Sequence, residues 1–135
     1  MIQRIFYDRF LELEGDRLVR YMDPLLAAGE PNLDQESTRQ LLGDLGSFDE
    51  YHLTYALELG SLASPETFAS ILPAYLADPR VSVFCAALNG MDRLPDRCLS
   101  PELVAAVRGI VPPQEGRRKS IDDLAARLQR RLPSA

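Results

Sequence analysis

The chain has 135 residues, which is enough for one domain with a continuous core and short for two. Apolar residues make up 46% of it, as in globular proteins, and the formal net charge at pH 7 is −5. Its apolar runs are far shorter than the roughly 20 residues that span a bilayer, and the first residues lack the apolar stretch of a secretory signal. We therefore expect one globular domain, residues 1–135, that resides in the cytoplasm and has no membrane partner.

The charges are distributed unevenly along the chain. Residues 1–78 hold 14 acidic and 5 basic side chains, whereas residues 79–135 hold 6 acidic and 10 basic ones. Between Glu30 and Asp78, Arg39 is the only basic residue beside nine carboxylates. A field of one sign at one end of a small protein attracts partners of the opposite sign. The asymmetry favours a partner with a basic surface, and a solvated surface that keeps the protein soluble is the alternative.

Apolar residues spaced three to four apart predict helices along almost the whole chain, and no segment shows the alternation of a strand. The first predicted helix ends at Gly15. The second carries a bend or restart at Asp23–Pro24, because proline has no amide hydrogen to donate, and it stops at residues 29–31. We interpret residues 1–29 as an N-terminal helical cap.

The later helices have recognisable start signals. Ser47 and Glu50 have the spacing of a capping box, in which each side chain bonds the other residue's amide. Ser64, Pro65 and Glu66 supply a serine cap, a proline suited to the first turn and a favourable negative charge. In chain order, the predicted starts are Asn32, Ser47, Ser64, Asp78, Ser100 and Ser120. The residues predicted on the inner sides of the central helices include Leu53, Leu57, Gly60, Val81, Phe84, Leu88 and Met91.

Pairs of helices recur at spacings of 32 and 36 residues, measured between the starts at Asn32, Ser64 and Ser100. Self-similarity at this period is typical of helical solenoids. The segment 78–90, with an aspartate-proline entry, a valine, small residues and a leucine before a glycine, resembles the second helix of HEAT-like repeats. Residues 56–62 resemble the end of that helix one repeat earlier, although Ser82 stands where such repeats often carry arginine.

The resemblance implies an all-α fold. It implies a right-handed α-solenoid of about three hairpins, residues 32–62, 64–94 and 100–132, following the N-terminal cap. A compact helical bundle is the alternative architecture.

No pattern of catalytic residues is present in the sequence. The only histidine, His52, is interpreted as a surface or helix-edge side chain, and Cys85 and Cys98 as reduced thiols, with Cys85 filling the core. The chain has no glycine-rich phosphate loop, and its cysteines lack zinc-ligand spacing. The acidic pairs at 49–50 and 122–123 suit the first turns of helices. We predict a protein that is not an enzyme and needs no metal or cofactor.

Nucleic acid is not an expected partner. The isoelectric point near 4.9 makes the overall electrostatic term for phosphate binding repulsive, and tryptophan is absent. Residues 117–119 and the arginines of the last predicted helix form the one basic cluster, which also suits the C-terminal end of a helix. A HEAT-like protein that binds nucleic-acid lesions is kept as a third functional alternative.

In HEAT-like solenoids the second helices line one side of the superhelix. Here the stripe opposite the predicted core would present Tyr51, Tyr55 and Glu58 on one helix, and Ser82, Ala86, Asn89 and Arg93 on the next. Tyrosine and arginine are enriched in protein interfaces. Packing of the two tyrosines against a neighbouring helix is the alternative. The predicted partner-binding residues are Asp34, Glu36, Asp44, Asp49, Glu50, Tyr51, Tyr55, Glu58, Asn89 and Arg93.

These features predict a non-catalytic protein-binding module. The specific hypothesis is a small acidic inhibitor or immunity protein that neutralises a basic toxin, such as a nuclease, with carboxylates in place of substrate phosphate. An adaptor or scaffold that binds a peptide or another subunit is the alternative. The sequence leaves the oligomeric state open.

Overall fold

The computed structural model describes the backbone of residues 2–28 and 33–132, and the side chains of residues 7–28 and 33–132. These residues form eight α-helices and three single-turn 3₁₀ helices, with no strand among them, so the prediction of an all-α fold is confirmed. The α-helices are α1 (Ile2–Glu12), α2 (Gly15–Ala28), α3 (Gln35–Asp44), α4 (Glu50–Ala63), α5 (Pro65–Tyr75), α6 (Val81–Arg93), α7 (Pro101–Arg108) and α8 (Arg118–Arg131). The 3₁₀ helices are Leu45–Ser47, Asp96–Cys98 and Glu115–Arg117.

Two of the predicted helix starts are confirmed. Pro65 is the first residue of α5, directly after Ser64, but the predicted capping hydrogen bond from the Ser64 hydroxyl is not formed; the Ser64 amide instead closes the last turn of α4 on the Gly60 carbonyl at 2.8 Å. Ser100 caps α7, because its hydroxyl oxygen accepts a hydrogen bond of 3.0 Å from the Leu103 amide. The predicted stop at 29–31 and the cap at Asn32 lie outside the described residues.

Three predicted starts are displaced by two or three residues. Asp49, not Ser47, caps α4, because its carboxylate accepts the His52 amide while Ser47 lies in the preceding 3₁₀ turn. α6 begins at Val81, since the Asp78 carboxylate accepts from the Arg80 amide and holds a turn before the helix. α8 begins at Arg118, two residues before Ser120.

The second helix does not restart at Pro24. α2 is continuous from Gly15 to Ala28. Its buried face carries Leu18, Met22 and Leu26, which lie on both sides of the proline. Burial of that face outweighs the one backbone hydrogen bond that proline removes.

One apolar core runs through the described residues. The predicted inner residues Leu53, Leu57, Phe84 and Met91 are buried in it. Val81 is not, because α6 begins at this residue and its side chain is 62% exposed. Other fully buried side chains include Tyr7, Phe10, Leu18, Met22, Leu41, Phe68, Leu72, Leu76, Ile121, Leu124 and Leu128.

The helices contact one another in a regular order. Consecutive helices pair as α1 with α2, α3 with α4, α5 with α6, and α7 with α8. In addition, α2, α4, α6 and α8 contact one another in a row, and α1 contacts α3 while α5 contacts α7. The α4–α6 contact is the most extensive of all. The described helices therefore place α4 between α2 and α6.

Two glycines set how closely the helices around α4 approach. A Cβ atom on Gly60 would lie 2.0 Å from Cζ of the Phe68 ring, which packs from α5. A Cβ atom on Gly90 of α6 would lie 3.3 Å from the Leu72 side chain and 3.5 Å from the Leu57 carbonyl oxygen of α4. Absence of these methyl groups lets α5 and α6 pack directly on α4.

Arg117 joins the last hairpin to the start of α6. Its guanidinium is buried, donates to the carbonyl oxygens of Asp78 and Pro79, and reaches the Gln114 side chain at 3.1 Å. The same group lies 4.6 Å from the centre of the Phe84 ring. One side chain thus satisfies two loop carbonyls that have no helical partner there.

The first prediction concerns Gly60. Gly60→Ala should lower the free energy of unfolding by about 1–3 kcal/mol, because the new methyl group overlaps the buried Phe68 ring. Gly43→Ala is the control, since Gly43 is exposed in α3 and nothing lies within 4 Å of its added Cβ. That change should raise stability by up to about 1 kcal/mol. Urea unfolding followed by circular dichroism measures both, and equal effects would contradict the packing described.

The second prediction concerns Arg117. Arg117→Lys keeps the charge but removes the planar fork that reaches two carbonyls, so it should destabilise the fold by about 2–3 kcal/mol. Arg130→Lys is the matched control, because Arg130 is exposed and makes no hydrogen bond or ion pair within the described chain. Its effect should stay within about 0.5 kcal/mol. Thermal unfolding measures both variants, and equal destabilisation by the two changes would contradict the role described for Arg117.

Candidate functional site

The face of α4 that was predicted to bind a partner is held by its N-terminal cap. Asp49 accepts the His52 amide at 2.8 Å, and its carboxylate also lies 2.9 Å from His52 Nδ1. The amide hydrogen bond from His52 is the largest cause that lowers the Asp49 pKa below its ordinary value, with the His52 side chain adding to it against a smaller effect of burial. Asp49 therefore serves the helix first, although its side chain remains largely exposed.

His52 is buried, not at the surface as the sequence suggested. Its side chain lies between Phe10 and Phe48, with ring centres at 5.1 and 6.2 Å, and Nε2 lies 3.1 Å from the Phe10 carbonyl oxygen. Both ring nitrogens thus face oxygen acceptors, one on Asp49 and one on the backbone of α1. The side chain connects α1 to α4 and has no access to a substrate.

A row of polar contacts joins α4 to the helices on either side. The Tyr55 hydroxyl donates to the Asp23 carboxylate of α2 at 3.0 Å. Glu58 lies 3.6 Å from the Arg93 guanidinium of α6, and Arg93 donates to the Leu26 carbonyl at 2.9 Å. We call Asp23, Tyr55, Glu58 and Arg93 the polar cluster. It brings three of the predicted site residues together with Asp23, which the sequence reading missed.

Burial and charge perturb the acids of the polar cluster. Burial, the Asp23 hydrogen bond and the nearby negative charges of Asp23 and Glu58 raise the pKa of Tyr55 to about 12. Burial also raises the Glu58 pKa, an effect that Asp23 increases and Arg93 opposes. The Glu58 side chain is 14% exposed. Its carboxylate is therefore largely committed to Arg93, and a partner would have to displace that contact.

The start of α4 offers a different kind of surface. Glu50 accepts a hydrogen bond from the Ser82 hydroxyl, so the first turns of α4 and α6 lie side by side. The next residue on α4, Tyr51, is 66% exposed, and Val81 precedes Ser82 on α6. We call Tyr51 and Val81 the exposed patch, and the partly buried Glu50 lies next to Tyr51 in the chain. Val81 was expected in the core, and only the position of the helix start reveals it as surface.

The remaining predicted site residues are spread over the surface. Asp34 caps α3 and accepts from the Ser37 amide at 2.7 Å, with Glu36 exposed in the first turn of that helix. Asp44 lies at the other end of α3, where it accepts from the Tyr7 hydroxyl at 2.6 Å. Asn89 is exposed on α6. The predicted carboxylates thus occupy both ends of the α3–α4 hairpin.

Two further residues differ from their predicted places. Ala86, expected on the open stripe of α6, is buried in the core. Cys85, expected to fill the core, is exposed, and both cysteines are free thiols. The buried face of α6 is wider than the predicted stripe, since Val83, Ala86 and Ala87 are buried together with Phe84 and Met91, and Cys85 lies on the opposite, exposed face.

Neither metal chemistry nor membrane insertion is indicated in the described chain. No group of three or more His, Cys, Asp or Glu side chains within the described ranges is placed to hold a metal ion. None of the helices there combines the length and the apolar character needed to cross a bilayer. Comparison with known proteins adds no identity, since no family model, curated protein or solved structure matches the chain.

The third prediction is the pH dependence of Asp49. A carboxyl group whose pKa is lower in the folded state stabilises that state above its unfolded pKa, near the ordinary value of 3.8, and loses the effect as the pH falls through the folded pKa. Asp49→Asn keeps the cap but not the charge, so the variant should lose less stability than the parent below about pH 4.

Asp49→Ala is the companion variant, because it removes the cap itself. It should cost about 1 kcal/mol at neutral pH, where Asp49→Asn costs little of the capping energy. Urea unfolding curves collected from pH 2 to 7 measure both effects. Parallel stability–pH curves for the parent and the asparagine variant would show that the carboxylate has no such role.

Proposed function

We propose that this protein is a non-catalytic protein-binding module whose exposed patch contacts a partner with a basic surface. The observation that supports this most directly is the exposure of Tyr51 and Val81 on the adjoining first turns of α4 and α6. When a partner removes large side chains of this kind from water, the free energy of the complex is lowered. Tyrosine is also among the residues that most often dominate binding energy at interfaces.

The charge around the patch indicates the chemistry of the partner. Asp49 and Glu50 directly precede Tyr51 in the chain. The segment 30–78 carries nine carboxylates, and its one basic residue is Arg39. Arg80, beside the patch, is paired with Asp78 at 2.9 Å, which offsets its charge. A basic surface is therefore attracted to this end of the chain, and the attraction acts mainly on the rate of association.

The internal contacts narrow the original set of binding residues. Asp34, Asp44 and Glu58 each have a partner within the chain, so direct contact with a toxin would require them to exchange it. We propose that these three contribute charge at a distance, as does Glu50, whose carboxylate accepts from the Ser82 hydroxyl, while Tyr51 and Val81 make the contacts. The Tyr55 and Arg93 side chains hold the helices beneath the patch.

The specific form of the proposal is an inhibitor or immunity protein for a basic toxin. The acidic excess supports it, because carboxylates can occupy positions in which a nuclease binds phosphate. An adaptor that binds a peptide or a subunit remains the alternative. Co-expression separates the two: an inhibitor protects cells from the toxin encoded beside its gene, whereas an adaptor leaves toxicity unchanged.

We also propose that the hairpins follow one another as a right-handed HEAT-like solenoid. The contacts of α2, α4, α6 and α8 in sequence support a row of second helices. The polar contacts within that row, Asp23 to Tyr55 and Asp92 to Arg127, span 32 and 35 residues, close to the predicted repeat. A constant right-handed rotation between successive hairpins in experimental coordinates would support this arrangement, and a bundle without it would contradict it.

The fourth prediction tests the exposed patch. After the partner is identified by affinity purification, the double change Tyr51→Ala and Val81→Ser should weaken its binding by about 30-fold or more, as expected for a hot spot worth about 2 kcal/mol. Val111→Ser is the control, because Val111 is 80% exposed in the loop after α7. Calorimetry with the purified partner measures the dissociation constants.

The salt dependence of the association rate, measured by surface plasmon resonance with the same partner, provides a second test. The association rate with a basic partner should fall as the ionic strength rises, because charges at a distance are screened. An acidic or small-molecule partner, or a double variant that binds as tightly as the parent, would contradict the proposed function.

A further inference from the structure

A second surface, which is positively charged, lies between α1 and α2. The side chains of Arg9 and Leu13 on α1 and of Arg17, Arg20 and Tyr21 on α2 line a depression of about 300 Å³. We call these five residues the arginine pocket. The turn between the helices positions them, because Gly15 has φ of 55°, a left-handed conformation that favours glycine, and folds α2 back against α1.

The concentration of arginines there is unusual for this part of the chain. Residues 1–78 contain five basic side chains among 14 acidic ones, and three of the five line this one depression. On α2, Arg17 and Tyr21 are four residues apart and Arg17 and Arg20 three apart, so all three occupy one side of the helix. Guanidinium groups held together repel one another unless an anion lies between them.

The arginines are largely uncommitted within the chain. Arg17 and Arg20 make no hydrogen bond or ion pair in the described structure, whereas Arg80, Arg93 and Arg117 are all bound by acceptors. Arg9 approaches Glu12 only to 3.9 Å, and both side chains are more than half exposed, so this contact contributes little. Four further carboxylates lie within three residues of the pocket in sequence: Asp8, Glu14 and Asp16 are exposed, and Asp23 accepts from the Tyr55 hydroxyl.

We propose that the arginine pocket binds a small phosphorylated molecule. The planar guanidinium fork matches phosphate oxygens in pairs, and a phosphate dianion can accept from several arginines at once. The volume of about 300 Å³ lies at the small end of ligand sites, which range from about 300 to 1,000 Å³. Tyr21 and buried Leu13 add an apolar side to the pocket, on which a short organic group can rest.

The charge balance of the Tyr21 phenol fits this placement. Arg9 and Tyr21 line the same depression; burial raises the pKa of Tyr21, and the positive charge of Arg9 opposes that rise. The pocket thus combines three cationic donors with an aromatic hydroxyl that stays protonated at neutral pH. This arrangement is independent of the exposed patch on α4 and α6 and does not rest on the function proposed for it.

The fifth prediction is phosphate binding at this pocket. Calorimetric titration of the full chain with inorganic phosphate and with glycerol 3-phosphate, at constant ionic strength in chloride, should show saturable binding of both, tighter for the organic phosphate. Removal of each arginine should weaken binding about tenfold or more, since hydrogen bonds to charged groups contribute about 1.5–3 kcal/mol. The test variant is the double change Arg17→Gln and Arg20→Gln.

The control is the double change Arg108→Gln and Arg130→Gln, which alters the net charge equally at exposed arginines outside the pocket. It should leave the dissociation constants unchanged. Arg20→Lys keeps the positive charge but loses the planar guanidinium, so it should bind phosphate with intermediate affinity. This variant tests the pocket even if the double variant folds poorly. Circular dichroism confirms that each variant is folded.

Several results would overturn the proposal. Absence of saturable phosphate binding by the parent would do so, as would an equal loss of affinity in the control variant. Tighter binding of a glutamate-rich peptide or of a DNA oligonucleotide than of glycerol 3-phosphate would assign the pocket to a macromolecule instead. None of these outcomes depends on whether the exposed patch binds its partner.

Discussion

The close packing of α5 and α6 on α4 determines where the other described helices lie. It depends on two positions without a side chain, Gly60 and Gly90, since a methyl group at Gly60 would overlap the Phe68 ring and one at Gly90 would press on Leu72. Once α6 is fixed against α4, α8 packs on α6 and α2 packs on the other side of α4. The patch formed by Tyr51 and Val81 exists because the first turns of α4 and α6 are brought level by this contact.

The sequence predicts the helices well, because the spacing of apolar residues along a helix is a local pattern. Ser64 and Ser100 mark helix starts correctly, and their spacing of 36 residues is close to the 35 that separate Asp92 from Arg127 across α6 and α8. Side chains one repeat apart meet in space when successive helices lie next to each other. Extending the same spacing into residues 1–29 would have identified Asp23 as the partner of Tyr55.

The errors arise where two local signals compete or where a distant contact decides. Ser47 and Asp49 are both good caps, and the carboxylate at Asp49 prevails because it also reaches the buried His52 ring. His52 in turn meets the Phe10 carbonyl 42 residues away, which no spacing rule predicts. Phe84 and Met91 are buried as predicted, whereas Val81 is exposed because α6 begins at this residue and not three residues earlier.

Several carboxylates of residues 1–78 already have partners within the chain, and this limits them to attracting a binding partner from a distance. Asp44 and Glu58 have partners inside the chain and are costly to detach, since Glu58 would leave Arg93 without its counter-charge and Asp44 would leave the Tyr7 hydroxyl without its acceptor. Their fields still extend beyond the surface over roughly a Debye length, about 8 Å at physiological salt. Arg17 and Arg20 are in the reverse situation, because neither makes a hydrogen bond or an ion pair among the residues that the structure describes. In the two functions that we propose, the attraction of a partner and the binding of a phosphate therefore depend on different residues.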